Sequence, residues 1–355
     1  AEELSAEQRR MWFLHQLAGA SPAHAEHAVI RFEGSLDTQA LREAFSLLAA
    51  RHEILRTTFC LVSGRPMQRV AETPTVDLSD LGELDREDAA NTAIEEALES
   101  PFDLSSSPPW RLHLVHLASN EHLLLVTMHH IICDGDWSFA RLFAELAEVY
   151  DACVKQRSPR MPSPQAQYRE YVIRQRTWIE GSESDQQLDF WRKALAGAPP
   201  ALELPTDAPR RAKMRLNAST RHVLFPLTLV EKLDSLATTA CVDLFSILTA
   251  SLAGLCSRYT ASDEVVLGTI SPSRFGAFDS SLGDFGNPIV IRTQLDAAEP
   301  FLSLLKRQHD FIQEAGKNRQ IPFDRVVDTL QPRRDRSRPP LFNVLVVMRP
   351  DAPAS

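Results

Sequence analysis

The stretch HHIICDG at residues 129–135 decides both the fold and the chemistry expected of this chain. It follows the apolar run 122–128, which predicts a buried strand, and it precedes 137–153, where apolar residues recur at helical spacing. Two imidazoles therefore come at the end of a buried strand. Because adjacent strand residues point to opposite faces, we expect one imidazole to be held inward and the other to face away from it.

An imidazole oriented in this way can act as an acid or base, since its ordinary pKa is about 6.5. Asp134 would fix a tautomer or pair with an arginine, and Gly135 allows a positive φ. Structural and metal-binding roles for the HH pair compete with catalysis. A zinc site usually needs three or four ligands, and only Asp134 offers a third here, so we predict no metal. Cys133 as a nucleophile is a further alternative, although a small buried residue is the simpler interpretation.

The composition is that of an ordinary globular protein. The chain has 355 residues, 44% of them hydrophobic and 24% charged, which is enough to bury a large core. A net charge of −9 argues against nucleic acid or an anionic membrane as a partner. The five cysteines have no CxxC spacing, and no apolar run approaches ~18 residues. We therefore predict no disulfide framework, no membrane span and a cytoplasmic location.

Two proline-rich stretches, SPRMPSP at 158–164 and APPALELPTDAP at 198–209, divide the chain. They bracket a helical segment at 165–195. Further helices are predicted at 36–51, 227–239, 243–259 and 301–315, and further strands at 110–117, 264–269, 287–294 and 341–348. The predicted class is mixed α/β, with an N-terminal lobe at 1–175 and a C-terminal lobe at 176–355.

HHIICDG is similar to the HHxxxDG pattern of the chloramphenicol-acetyltransferase-like superfamily, and the surrounding chain resembles a nonribosomal peptide synthetase condensation domain. The motifs that carry the resemblance follow one another in the family's order across 5–348. They are SAEQRRMWFL (5–14), RHEILRTTF (51–59), PFDLS (101–105), YREY (168–171), GDFGN (283–287) continuing to Arg292, IPFD (321–324) and RDRSRPPL (334–341).

The resemblance implies a fold of two chloramphenicol-acetyltransferase-like lobes, arranged as a V with a tunnel at their interface. It also implies a reaction. An acyl or peptidyl group arrives as a thioester on the phosphopantetheine arm of a carrier protein, and an acceptor, usually carried by a second carrier protein, attacks it to form an amide. The chain itself would bind no cofactor, and its other partners would be adjacent synthetase domains.

Site residues follow from the resemblance one by one. His130 matches the histidine held to be catalytic, and His129 is expected to be structural. Asp134 is also expected to be structural, paired with Arg292, because an unpaired buried carboxylate would be costly. The N–H of Gly135 would lie near the oxyanion. Arg51, Glu53 and Arg56 are expected to form a structural ion-pair set at a helix end.

The chain departs from the family pattern at several positions. Asp136 is an extra residue between Gly135 and Trp137, and with Trp137, Ser138 and Asn287 it is expected to border the substrate tunnel. Gly286 and Pro288 replace the usual Val and Thr. The second lobe is expected to be incomplete at its C-terminus.

Alternatives to the amide-forming enzyme remain open from the sequence alone. One is an ester-forming chain-release enzyme with a free acceptor. Another is an epimerase relative, against which the matches at 5–14 and 51–59 argue. A plant-type acyl-CoA acyltransferase is a distant third, since DFG at 284–286 is similar to part of its DFGWG motif. The non-enzyme alternative is a catalytically silent, partner-recruiting domain.

Overall fold

The computed structural model describes residues 1–19, 21–84, 87–118, 120–199, 201–210, 218–274, 276–332, 335 and 337–349. They form a mixed α/β fold, which confirms the predicted class. The chain divides into two compact units, one of Ala1–Trp178 with Arg274–Phe285 and one of Ile179–Ser273 with Gly286–Ser355. The sequence assigned 274–285 to the second lobe, whereas in the structure this segment packs within the first unit.

The first unit contains the element that carries HHIICDG. Its helices are α1 (Ala6–Ala18), α2 (Thr38–Arg51), α3 (Glu87–Leu98), α4 (Asp136–Val154) and α5 (Tyr168–Ile179), the last of which ends at the unit boundary. Its strands are β1 (Glu2–Glu3), β2 (Ala25–Glu33), β3 (Thr57–Val62), β4 (Arg65–Val70), β5 (Leu78–Glu83), β6 (Trp110–Ala118) and β7 (Glu121–His129).

The second unit is built from five helices and two strands in its described part. The helices are α6 (Ser182–Ala194), α7 (Leu227–Ala240), α8 (Leu244–Thr260), α9 (Phe301–Lys317) and α10 (Phe323–Leu330). The strands are β8 (Glu264–Pro272) and β9 (Gly286–Gln294), which pair antiparallel. In the described chain no single helix is long and apolar enough to cross a membrane; α7 and α8 reach that length and composition only together, and they are bent by 103°.

β7 lies inside a sheet of order β2-β7-β6-β5, with antiparallel partners on both sides. It is buried along nearly its whole length, as its continuous apolar run predicts. Helices α2 and α4 pack through apolar residues that lie at helical spacing in the core of the first unit. Among these residues are Leu41, Phe45 and Leu48 of α2 and Phe139, Leu142 and Leu146 of α4. This packing fixes the end of β7 and the start of α4 on either side of the HHIICDG loop.

The RHE motif at the end of α2 is an ion-pair site. Glu145 of α4 is buried and binds His52 Nε2 at 2.6 Å and Arg51 Nε at 3.0 Å. Burial acts to raise the pKa of Glu145, but the hydrogen bond and charge of His52 and the charges of Arg51 and Arg141 outweigh it and lower the pKa to about 2. Arg56 pairs with Glu53 at 3.6 Å. Arg51, Glu53 and Arg56 are thus ion-paired as the sequence predicts, but Arg51 pairs with Glu145, which the sequence did not identify.

Two predicted elements differ in the structure. The helical segment 165–195 is two helices, because the chain breaks before α6 at Gly181, and glycine is a poor helix former. The strand predicted at 341–348 forms a single bridge, Gly268–Leu345, held by hydrogen bonds of Gly268 with Val344 and Val346, both 2.8 Å. Within RDRSRPPL, residues 334 and 336 lie outside the described residues, and Arg338 pairs with Glu203 at 2.6 Å.

Candidate active site

The HHIICDG loop is anchored at both ends by buried residues. β7 ends at His129, a 3₁₀ turn follows at His130–Ile132, and the side chains of Ile131 and Ile132 are completely buried. Gly135 then takes φ +74° at the N-cap of α4. This left-handed conformation favours glycine, so the sequence places a glycine where the backbone must turn into the helix.

His129 faces inward. Its Nδ1 accepts a hydrogen bond from the N–H of Ile131 at 3.1 Å, and its Nε2 lies 3.3 Å from Nδ1 of His15. Burial, with smaller contributions from His15 and His24, lowers the pKa of His129 to about 3. A neutral imidazole with both nitrogens engaged holds the loop, as expected for a structural histidine.

His130 is partly exposed, and in the described parts of the chain only one of its two ring nitrogens has a hydrogen-bond partner. Its Nδ1 lies 2.7 Å from the carbonyl oxygen of Cys133. Because a carbonyl oxygen can only accept, Nδ1 must carry the proton, and Nε2 is the nitrogen available to a substrate. Burial acts to lower the pKa of His130, but the charge of Asp284, the hydrogen bond to Cys133 and the charge of Glu26 raise it above its ordinary value.

Asp134 ties the loop to the segment Arg274–Phe285. It accepts hydrogen bonds from Ser138 Oγ at 2.6 Å and from Arg274 at 2.9 Å. The Arg274 guanidinium carbon lies 3.3 Å from the centroid of the Trp137 ring and 4.3 Å from that of Phe285. Burial lowers the pKa of Arg274 and Asp134 opposes that shift, as expected for a stacked, buried ion pair.

The predicted pairing of Asp134 with Arg292 is wrong. Arg292 lies on β9 and binds Glu264 of the neighbouring strand β8, and it also donates to the carbonyl oxygens of Ala194 and Ala196 at 3.0 and 2.8 Å. The antiparallel register explains this, because Arg292 lies opposite Val266 and is therefore a diagonal neighbour of Glu264.

The other site candidates occupy different positions. Asp136 is exposed in the first turn of α4, where a helix N-terminus favours a carboxylate, and Trp137 is 36% exposed above Arg274. Ser138 is fully buried and donates a hydrogen bond to Asp134. Asn287 lies in the second unit, where its amide binds the backbone of Arg319, Ile321 and Phe323. Ser138 and Asn287 therefore hold backbone and side chains in place.

Cys133 does not supply the alternative nucleophilic chemistry considered above. Burial raises the pKa of its thiol well above its usual range, with Gly135 opposing the shift, so a thiolate nucleophile is disfavoured. The expected place of the Gly135 N–H near the oxyanion stays a prediction. Among the described residues, no three His, Cys, Asp or Glu side chains converge to hold a metal ion.

Three functional candidates were not found from the sequence. Arg274 lies 140 residues from its partner Asp134, and no spacing pattern connects them. Glu26 and Asp284 act on His130 from β2 and from the segment Arg274–Phe285. One signal was available for Glu26, namely a charge within the alternating apolar row Ala28, Ile30 and Phe32.

Comparison with known proteins gives consistent results. The chain is 34% identical over 365 residues to the dimodular nonribosomal peptide synthase of Bacillus subtilis, matching 98% of this chain and 15% of that protein. It is 33% identical over 351 residues to malpibaldin synthetase of Mortierella alpina, matching 97% of this chain and 6% of that protein. The chain thus spans a small part of the curated relatives it matches.

Solved structures agree in fold. The X-domain in complex with OxyB from teicoplanin biosynthesis is 31% identical, with a TM-score of 0.89 over 97% of this chain and 76% of that one. The first condensation domain of the calcium-dependent antibiotic synthetase, with a substrate analogue, is 21% identical, with a TM-score of 0.77 over 93% and 78%, and shows the fold alone. The family model of the condensation domain matches residues 2–352, and the chain therefore belongs to the condensation-domain family.

Proposed function

We propose that this chain transfers an acyl or peptidyl group from a carrier-protein thioester to an amine or hydroxyl acceptor, forming an amide or ester in nonribosomal peptide or hybrid polyketide biosynthesis. The observation that carries the proposal is the state of His130. Its Nδ1 is fixed by the carbonyl of Cys133, and its Nε2 remains available on a partly exposed ring. The ring is thus oriented for proton transfer before a substrate binds.

The reaction follows from this orientation. The acceptor nitrogen attacks the thioester carbonyl, a C–N bond forms, and the proton of the amine passes to Nε2 of His130. The C–S bond then breaks, and the same proton reaches the departing thiolate. A positioned base of this kind contributes ~10²–10⁴-fold, and delivery of tethered substrates adds proximity.

The proposed partners are donor and acceptor carrier proteins, with adjacent synthetase domains, since the similar curated proteins are synthetases of which this chain matches only a part. Phosphopantetheine belongs to the carriers in this proposal. Apart from residues 274–285, which pack within the first unit, the division into lobes at 1–175 and 176–355 remains a prediction. Their V arrangement, the tunnel beside Asp136 and Trp137, and the cytoplasmic location are predictions as well.

Intact-protein mass spectrometry tests the function. Wild type, His130→Ala and the control His27→Ala, at an exposed histidine on β2, are each mixed with an acyl-loaded carrier protein. Amine and hydroxyl acceptors are supplied both carrier-bound and free. We expect wild type and His27→Ala to remove the acyl mass from the carrier and His130→Ala to leave it in place. The acceptor that gains the mass separates amide from ester formation.

A second candidate function is recruitment of another protein without catalysis. The solved X-domain, in complex with OxyB, is more similar in sequence to this chain than the solved condensation domain described above. In this chain, retention of both histidines, Asp134 and Gly135 favours catalysis. If the carrier protein binds but neither wild type nor His27→Ala unloads it with any acceptor, the recruiting function becomes the better account.

A further inference from the structure

The inward imidazole of the HHIICDG loop is held by a histidine that lies far away in the sequence. His129 caps the 3₁₀ turn at His130–Ile132, because its Nδ1 accepts a hydrogen bond from the Ile131 N–H at 3.1 Å. Its other nitrogen, Nε2, lies 3.3 Å from Nδ1 of His15, which belongs to the last turn of α1. The two histidines are 114 positions apart, and α1 contacts the turn directly.

These two hydrogen bonds determine which ring nitrogens carry protons. A backbone N–H can only donate, so Nδ1 of His129 is bare where it faces Ile131, and the proton of this neutral ring is on Nε2. Nδ1 of His15 is therefore the acceptor. Burial lowers the pKa of His129 to about 3, and it also lowers the pKa of His15, with Asp103 opposing that shift, so both rings are neutral at pH 7.

Within the described parts of the chain, His15 provides the acceptor for the Nε2 proton of His129. The rings of His24 and Phe102 also border His129, each with its centroid 6.1 Å away, but among the described residues neither forms a hydrogen bond with it. His129 is 1% exposed and His15 is 9% exposed, so the bond between them is shielded from solvent. Without His15, the Nε2–H of His129 would be a buried donor that has lost its partner, which is costly.

We propose that His15 is a positioning residue for acyl transfer, because it accepts the proton of His129 and so holds the ring that caps the turn carrying His130. The inference rests on the proposed function. At its other end the turn is fixed by the bond between Nδ1 of His130 and the carbonyl oxygen of Cys133 at 2.7 Å. When the cap at Ile131 loosens, the backbone of His130 loosens with it. Nε2 of His130 is then held less often in the orientation that accepts the amine proton.

Three variants separate the hydrogen bond from packing around His129. His15→Leu removes the acceptor, whereas His15→Asn retains one, because the asparagine Oδ1 occupies nearly the position of the histidine Nδ1. We expect His15→Leu to slow single-turnover transfer from an acyl-loaded carrier protein about 10-fold, the loss that corresponds to one buried hydrogen bond. His15→Asn should transfer nearly as fast as wild type. The matched control, His24→Leu, removes a ring that borders His129 without bonding to it, and it should also transfer as wild type does.

Amide hydrogen exchange, followed by NMR, gives a readout that is independent of turnover. The amide of Ile131 is protected through the ring of His129, whereas the amide of His129 is bound to the carbonyl oxygen of Pro109 at 2.9 Å. We expect His15→Leu to exchange faster at Ile131 and unchanged at His129, and His15→Asn and His24→Leu to exchange as wild type at both. General destabilisation would accelerate both amides. ¹⁵N spectra of wild type should show a bare Nδ1 and a protonated Nε2 at His129.

Slower transfer and faster exchange at Ile131 in His15→Leu, both restored in His15→Asn, support the proposal. Transfer at the wild-type rate by folded His15→Leu, or an equal loss in His15→Asn or His24→Leu, overturns it. If thermal unfolding shows that His15→Leu is not folded, His15→Gln replaces it, because its longer side chain carries the amide oxygen past the position of Nδ1. If wild type transfers nothing to any acceptor, the proposed function fails, while exchange at Ile131 still decides whether His15 holds the turn.

Discussion

The ion pair of Asp134 with Arg274 links two parts of the chain that are far apart in sequence. Their side chains are 10% and 6% exposed, and the guanidinium carbon lies within 4.3 Å of the centroids of the Trp137 and Phe285 rings. Replacing Asp134 by Ala leaves a buried cation without its partner. We expect this change to destabilise the protein by about 3–5 kcal/mol, as breaking a buried pair generally does.

A double-mutant cycle measures the pair directly. Asp134→Ala, Arg274→Ala and the double variant are compared by urea unfolding, and the double variant is expected to lose much less than the sum of the two single changes. Additive losses would contradict direct coupling between these side chains.

His129 makes the free energy of unfolding depend on pH in the acidic range. Its pKa is about 3 in the folded state, compared with 6.5 for an ordinary histidine, so only the unfolded chain takes up a proton between these values. The contribution of the neutral ring to the free energy of unfolding has its full value above pH 6.5, and it decreases as the pH falls toward 3. Each pH unit in this window lowers the free energy of unfolding by about 1.4 kcal/mol for this group.

The variant His129→Asn keeps a hydrogen-bond acceptor near Ile131 and removes the titrating ring. We expect a lower free energy of unfolding at neutral pH but a shallower decline with acid, measured by urea unfolding at several pH values. His27→Asn, at an exposed histidine, is the control and should keep the slope of wild type. An unchanged slope in His129→Asn would show that other groups dominate acid unfolding.

At this scale the sequence identifies residues that are close together along the chain. His129, His130, Asp134 and Gly135 lie within one loop, and their spacing alone predicts an inward and an outward imidazole. Arg274 was missed and Arg292 was paired wrongly, because the partner of a buried carboxylate depends on tertiary packing. Strand register, rather than local pattern, directs Arg292 to Glu264.

Among the elements, β8 depends on the absence of a side chain at Gly268. A Cβ at this position would overlap the ring of Phe342, which packs against the strand. Gly268 also makes both hydrogen bonds of the bridge to Leu345, so displacement of the ring disturbs the pairing. We expect Gly268→Ala to destabilise the second unit by about 1–3 kcal/mol, the usual penalty of overpacking.

Removing the ring of Phe342 distinguishes a steric clash at Gly268 from an effect of the substitution on the backbone. Gly268→Ala combined with Phe342→Ala is compared with Phe342→Ala alone, and each thermal unfolding transition is measured. In the Phe342→Ala background the substitution of Gly268 should lower the thermal unfolding temperature only slightly. If the unfolding temperature falls as much as in the wild-type background, the destabilisation does not come from overlap with the ring of Phe342.

Elements with strong periodicity were predicted to within about two residues at their ends. The strand before the HHIICDG loop and helix α4 after it are examples, because a continuous apolar run and a helical stripe leave few alternatives. The segments at 165–195 and 341–348 were predicted less well. A helix break at Gly181 and a strand with one bridge depend on neighbours that periodicity does not reveal.

At the scale of the whole molecule, the first unit is assembled from two separate parts of the chain. Arg274–Phe285 supplies the partner of Asp134, the buried Asp284 and the ring of Phe285 in the core. A chain that ends at Trp178 lacks all three. We expect it to lose the cooperative thermal transition of the first unit, as followed by circular dichroism.

Covalent attachment of residues 274–285 to the truncated chain through a long Gly/Ser linker should restore a cooperative transition. The same linker with Arg274→Ala serves as the control and should restore less. If the truncated chain already unfolds cooperatively and no addition changes it, the segment is not required for folding of this unit.

The α/β class was predicted from hydrophobic periodicity, and the structure confirms it. The family was predicted from the order of motifs along the chain, and the family match confirms it. The assignment of 274–285 to the first unit was not predicted, because a division by proline-rich stretches assumes that each unit is continuous in sequence. The chain leaves the second unit after β8, contributes this segment to the first unit and returns to the second unit at β9. The local composition of the segment does not indicate this change of unit.

The burial of the thiol behind the HHIICDG loop has a practical consequence. Cys133 and Cys256 are buried, Cys60 and Cys153 are partly covered, and Cys241 lies exposed at the end of α7. A maleimide dye is therefore directed first to Cys241 and leaves the buried sulfur of Cys133 unlabelled. The native chain thus carries its own attachment point for a fluorophore, and binding of the proposed carrier-protein partner can be followed by anisotropy without introducing a cysteine.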